Sequence, residues 1–189
     1  MQSFYYPMNN PILNYLLAQQ SLQDSGIWVA AILDGASVSN LVQKLQEEDA
    51  LKSVCLFSGE LEQDMAEVAP YIAKLEPDSD FSEWVMSGWG EHWGIYAVVP
   101  AELNLAAVRR HLRKLNMVYG PDNQPLYFRW YDPRVMRMVL PTFDAGQLQE
   151  MFGPVLRFVV EGETQEQGIA FSLADGELVQ ERFSVAPEK

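Results

Sequence analysis

At 189 residues, with 48% hydrophobic and 12% aromatic residues, the chain has the length of one domain and enough apolar material for a sizeable core, which excludes intrinsic disorder. A formal charge of −13 makes nucleic acid and anionic membrane surfaces unsuitable partners, and neither is expected. The N-terminus has no signal-peptide pattern, no apolar run is long enough to span a membrane, and the single cysteine, Cys55, allows no internal disulfide, so a cytoplasmic protein is expected.

In chain order, Pro11 to Gln20 reads as a helix capped by Asn9 or Asn10, with proline in its first turn. Ile27 to Leu33 is a continuous apolar run between Gly26 and Asp34-Gly35, as expected of a buried strand. Val38 to Glu47 follows as a helix with Ser37 as cap, and Leu51 to Phe57 as a second strand. Residues 60–69 are weakly helical and APYIAKL is a short strand. Ser79 or Asp80 caps a helix running through Met86, which Gly88 and Gly90 stop. Trp93 to Val99 is a third apolar strand.

Asn104 to Leu115 is an amphipathic helix with Leu105, Val108, Leu112 and Leu115 on one stripe. Leu126 to Tyr131 reads as a fourth strand, with Leu126, Phe128 and Trp130 on one face and Tyr127, Arg129 and Tyr131 on the other. Asp132-Pro133 then opens a helix to Leu140, with Val135, Met138 and Val139 as its apolar side. A helix from Asp144 to Phe152, a strand from Val155 to Val160, and a strand pair or loose tail around Asp175-Gly176 complete the pattern. The alternation predicts a layered α/β domain with a mostly buried mixed sheet flanked by helices over 1–160. A C-terminal extension is expected over 161–189, beyond the polar stretch EGETQEQG.

Charge is distributed unevenly. Residues 109–137 hold seven basic residues (Arg109, Arg110, Arg113, Lys114, Arg129, Arg134, Arg137) against Asp122 and Asp132, while the flanking segments carry −12 and −6. The basic helix allows two readings: a solvated face suited to a helix C-terminus, or a positive strip that docks an acidic partner or the chain's own acidic N-terminal half. Arg129 and Arg134 both lie close in sequence to Asp132, an arrangement suited to locking the strand–helix corner.

Signatures of catalysis are missing. The sequence contains no G-x-S-x-G elbow, no phosphate-binding G-x-x-x-x-G-K-[ST] loop and no G-x-G-x-x-G after a strand; GWGEHWG reads as a turn packed with aromatics. Two histidines and one cysteine leave no zinc-site pattern, and His111, at the edge of the helix stripe, reads as structural. No catalytic residue, metal or cofactor is therefore expected.

Three blocks are more specific. VAPYIAKL (68–75), FSEWVMSGWGEHWGIYAVV (81–99, containing Trp93) and VRRHLRKLNMVYGPDNQPLYFRWYDPRVMRMVLPTF (108–143) together resemble the domain-of-unknown-function 4123 family over roughly residues 27–160. Members are adaptor chaperones that help load toxic effectors onto the spike of the bacterial type VI secretion system. The resemblance implies a non-enzymatic cytoplasmic protein whose partners are a secreted effector and the VgrG spike. Arg129, Tyr131, Asp132, Pro133 and Arg134 correspond to the family motif, as do Arg110, His111, Leu112 and Arg113 in the helix. Whether these residues touch the partner or hold the fold stays open. So do two other functions: a hydrolase or transferase using carboxylates and arginines without a recognisable motif, and a general protein-interaction module.

Overall fold

The computed structural model describes residues 11–18, 26–47, 52–77 and 79–185. The N-terminal cap at Asn9 or Asn10, the end of the first helix and the first residue of the second strand lie outside them. Among the described residues the helices are α1 (Pro11–Leu17), α2 (Leu41–Glu47), α3 (Gln63–Val68), α4 (Asp80–Ser87), α5 (Leu105–Leu112), α6 (Pro133–Val139) and α7 (Ala145–Phe152). The strands are β1 (Ile27–Asp34), β2 (Ser53–Cys55), β3 (Pro70–Leu75), β4 (Gly94–Pro100), β5 (Met117–Tyr119), β6 (Pro125–Tyr127), β7 (Arg157–Glu161), β8 (Gln167–Ala174) and β9 (Glu177–Ser184).

Seven strands form one sheet in the order β2-β3-β1-β4-β7-β8-β9, and β5-β6 is a separate hairpin. The α/β class is as expected, but the sheet is antiparallel at every pairing rather than mixed. The expectation rested on unbroken apolar runs, which report burial on both faces and say nothing about strand direction.

That double burial is visible residue by residue in β1. Ala30 and Ile32 join a core with α5, α6 and α7, while Val29, Ala31 and Leu33 join a second core with α1, α2 and α4. Helices therefore cover both faces of the sheet. The segment 161–168 is a tight turn within this sheet: Gly162 N–H donates to Gln167 O at 2.7 Å, and β7 pairs with β8 from Arg157↔Ser172 to Glu161↔Gly168. The strand pair around Asp175-Gly176 is β8–β9.

Helix starts follow the expected cap chemistry. Ser79, Asn104, Asp132 and Asp144 each accept a backbone N–H from the first turn of α4, α5, α6 and α7. Ser37 does not cap α2. Its hydroxyl donates to Asp34 at 3.0 Å, Asn40 takes a left-handed conformation (φ 62°), and the helix begins only at Leu41. The aromatic turn GWGEHWG holds Trp93 5.0 Å from Trp84, ring centre to ring centre, and a Cβ on Gly88 would run into the Trp93 indole.

The expected strand over Leu126 to Tyr131 is corrected: β6 ends at Tyr127 and the chain then bends inward. Trp130 and Tyr131 are both buried, whereas Leu126 and Tyr127 are both exposed, so the anticipated alternation of faces is lost. The apolar side of α6 is also different. Pro133, Met136 and Leu140 face the core, and Met138 is exposed. The bend rotates the helix start relative to an extended strand, which changes the stripe that points inward.

Candidate docking surface

The seven basic residues of the island divide into two groups. Arg109 donates to Cys55 O (2.7 Å) and Phe57 O (3.0 Å), tying α5 to the end of β2. Arg137 donates to Glu161 O at 2.6 Å, tying α6 to β7. Arg134 grips Asp132 with both Nε (3.0 Å) and a terminal nitrogen (2.7 Å). Arg129 pairs with Asp34, 95 residues away, rather than with Asp132. These four guanidinium groups are engaged with the protein's own acceptors.

Asp34 is 1% exposed and also accepts from Ala36 N–H (3.1 Å) and Ser37 Oγ–H (3.0 Å). A buried carboxylate needs such donors, and the end of β1 supplies them by turning sharply after Asp34. Tyr131 lies at the same corner, where burial and the Asp34 charge push its hydroxyl pKa up to about 12. Asp132 accepts Arg134 N–H at 2.9 Å as the cap of α6, with Pro133 as the first helical residue. Burial opposes its ionisation, but Arg134 outweighs that and holds the carboxyl below the usual range.

Asp132→Ala is expected to lower stability by about 1 kcal/mol through the lost cap. The folded pKa is depressed, so the stabilisation is present above the ordinary aspartate pKa of about 4 and is lost as pH falls through the folded value. Urea denaturation of both proteins at pH 7 and near pH 3 checks this: the difference should be full at the first and smaller at the second.

Arg110, Arg113 and Lys114 form the second group. All three are exposed, and among the described residues they make no ion pair or hydrogen bond through their side chains. They sit at the end of α5 and in the 3-10 turn Arg113–Asn116 that follows it. The opposite face of the same helix is fixed by Val108 and Leu112, each fully buried. His111 is also held in place. Its Nε2 meets the Met151 carbonyl at 3.2 Å, burial pushes its pKa down, and a Cβ on Gly153 (φ 49°) would strike its ring.

Next to the free cations stands the β5–β6 hairpin, whose turn the family resemblance over 108–143 implies but whose exposed apolar residues the sequence does not single out. Its pairings are Met117↔Tyr127, Val118↔Leu126 and Tyr119↔Pro125. Tyr119 and Tyr127 are 70% and 68% exposed, and Leu126 is 52% exposed. The turn is closed by Gly120 N–H to Gln124 O at 3.0 Å, with Asn123 left-handed (φ 56°). The signal available in the sequence was NMVYGPDNQPLYF, two apolar runs around a Gly-Pro-Asp-Asn turn.

On one side of the hairpin lies a groove of about 760 Å³, lined by Arg113 and Lys114, by Val118 and Tyr119, and by Phe128 and Phe143. On the other side, Tyr127 packs 5.4 Å from Phe57 over a smaller recess of about 230 Å³ with Met65, Val68 and Arg129.

The thiol and the second histidine lie elsewhere in the fold. Burial pushes the Cys55 thiol pKa up, the reverse of an activated thiolate. His92 Nδ1 lies 2.7 Å from the buried Glu161, whose own pKa burial raises. Among the described residues no three His, Cys, Asp or Glu side chains converge as a metal site, and no helix is long and apolar enough to cross a membrane.

Fold and surface thus define a layered α/β protein, built on an antiparallel sheet, that presents a cationic strip beside a projecting apolar hairpin. The family model Domain of unknown function (DUF4123) matches residues 31–150, and the chain belongs to this family. That range contains β1 from its third buried position, the aromatic turn, the basic helix, the hairpin and most of α7. No curated protein and no solved structure matches the chain significantly.

Proposed function

We propose that this protein is a non-enzymatic, cytoplasmic adaptor that binds a secreted effector of the type VI secretion system and helps load it onto the VgrG spike. Family membership supports this class of role. The observation that carries the reading within this chain is the division of the basic island. Four arginines are consumed by the fold, whereas Arg110, Arg113 and Lys114 remain exposed and unpaired among the described residues. In a chain of net charge −13, unpaired cations grouped at the end of α5 and in the turn after it favour an anionic protein surface as the partner.

The test is co-expression with the effector encoded by a neighbouring gene, followed by size-exclusion chromatography at moderate salt. A stable complex is the expected result. Separate elution of the two proteins at micromolar concentration contradicts the adaptor reading.

A further inference from the structure

The hairpin has an energetic peculiarity. A two-stranded sheet is marginal in water, and this one stands outside the main sheet with all six strand residues exposed. Five of those residues, Met117, Val118, Tyr119, Leu126 and Tyr127, are large and apolar, so both faces of the hairpin carry apolar side chains into solvent. Large apolar side chains exposed together in this way are the usual mark of an interaction site.

The adjoining groove adds a charge pattern. Arg113 and Lys114 lie along one wall, and the wall from α7 contributes Gln147 and Glu150. Glu150 forms no ion pair with either cation among the described residues, and the groove lining carries two cations against this one carboxylate. The floor is apolar, with Phe128 and Phe143 packed on the core beneath it. Elsewhere the protein is strongly acidic, so a segment bearing carboxylates is repelled by most of the surface and attracted here.

We infer that this groove receives an acidic amphipathic segment of the partner protein, with apolar side chains against Val118, Tyr119 and Phe128 and carboxylates on Arg113 and Lys114. The inference rests on the adaptor reading and names the chemistry of what the adaptor recognises. The apolar contacts supply most of the binding free energy, and the two cations select sign and orientation.

The experiment uses the full chain and fluorescein-labelled 15-residue peptides, read by fluorescence anisotropy. One peptide alternates Leu or Phe with Asp or Glu. A second replaces its acids with Lys or Arg, and a third keeps the acids and replaces the apolar residues with Ser. The protein variants are Arg113→Glu/Lys114→Glu, Val118→Ser/Tyr119→Ser and, as a distant control, Lys44→Glu on α2. All the altered side chains are at least partly exposed, and an unchanged thermal melt verifies that each variant is folded.

The acidic apolar peptide should bind best. Each groove variant should weaken it about tenfold or more, the control should not, and added salt should weaken it further. Equal binding by the groove variants, a preference for the basic peptide, or undiminished binding of the Ser-containing peptide overturns the inference. So does self-association of the protein that the same variants abolish, since the occupant would then be a second copy. The adaptor reading is judged separately: an effector complex that survives both groove variants removes the groove and leaves the adaptor. Peptide binding intact without any effector complex does the opposite.

Discussion

Trp130→Ala is expected to lower the free energy of unfolding by about 3–5 kcal/mol, the range for deleting a fully buried large aromatic. The indole is 0% exposed and meets Tyr131 and Phe158 edge-on, at centroid distances of 5.9 and 6.2 Å. Its Nε1–H donates to Asn116 Oδ1 at 2.9 Å, and Asn116 in turn donates through Nδ2 to Leu56 O at 3.2 Å. The substitution therefore opens a cavity and strands a buried acceptor as well. Trp130→Phe separates the two effects: most of the packing returns, and the residual cost of about 1–3 kcal/mol measures the orphaned Asn116. With typical stabilities of roughly 5–15 kcal/mol, the alanine variant should unfold at markedly lower urea. A loss under about 1 kcal/mol would mean that Trp130 does not pin the corner.

The second large effect is at Asp34. Asp34→Ala removes the acceptor for Ala36 N–H, Ser37 Oγ–H and the Arg129 guanidinium at a site that is almost fully buried, and should cost about 2–4 kcal/mol. Arg129→Ala should cost less, roughly half. The Arg129 side chain is 47% exposed, so solvent screens its share of the pair, and the two neutral donors stay on the carboxylate. A double-mutant cycle by urea denaturation isolates the coupling, expected at about 1 kcal/mol. Zero coupling would assign the stabilisation to the turn after β1 alone and release Arg129 for another role.

These two sites show what the sequence could and could not reveal. The buried strands β1 and β4 were legible because a seven-residue apolar run has few other places to go. The stripe Leu105, Val108, Leu112 and Leu115 was legible because its spacing fits only a helix. Asp132-Pro133 announced α6 through local cap chemistry that needs no tertiary partner. The aromatic segment after β6 misled because alternation of large residues is the strand signature, yet here the chain bends so that neighbouring Trp130 and Tyr131 both reach the core.

Strand direction was invisible because burial alone encodes it nowhere. The partner of Arg129 was equally hidden. Nothing local prefers an aspartate 95 residues upstream to the one three residues ahead, and only the fold brings Asp34 to the corner. For the same reason the sequence groups seven cations as one island, while the structure divides them into four that bond to the protein's own acceptors and three that are unpaired among the described residues. The hairpin turn is implied by the family resemblance, but its role as a surface is not legible, because its short apolar strands look like core until the exposure of Tyr119 and Tyr127 is known.

Under the proposed adaptor role, the Arg-Trp-Tyr-Asp-Pro-Arg corner holds the fold while partner binding falls on the free cations and the hairpin. Isothermal titration of the neighbour-encoded effector into three forms of the protein tests it most directly: wild type, Arg113→Glu/Lys114→Glu and Asp132→Ala. The charge reversal should weaken binding about tenfold or more without lowering the melting temperature. Asp132→Ala should melt earlier and bind normally. Unchanged affinity in the reversal, or an equal loss from a still-folded Asp132→Ala, would contradict it.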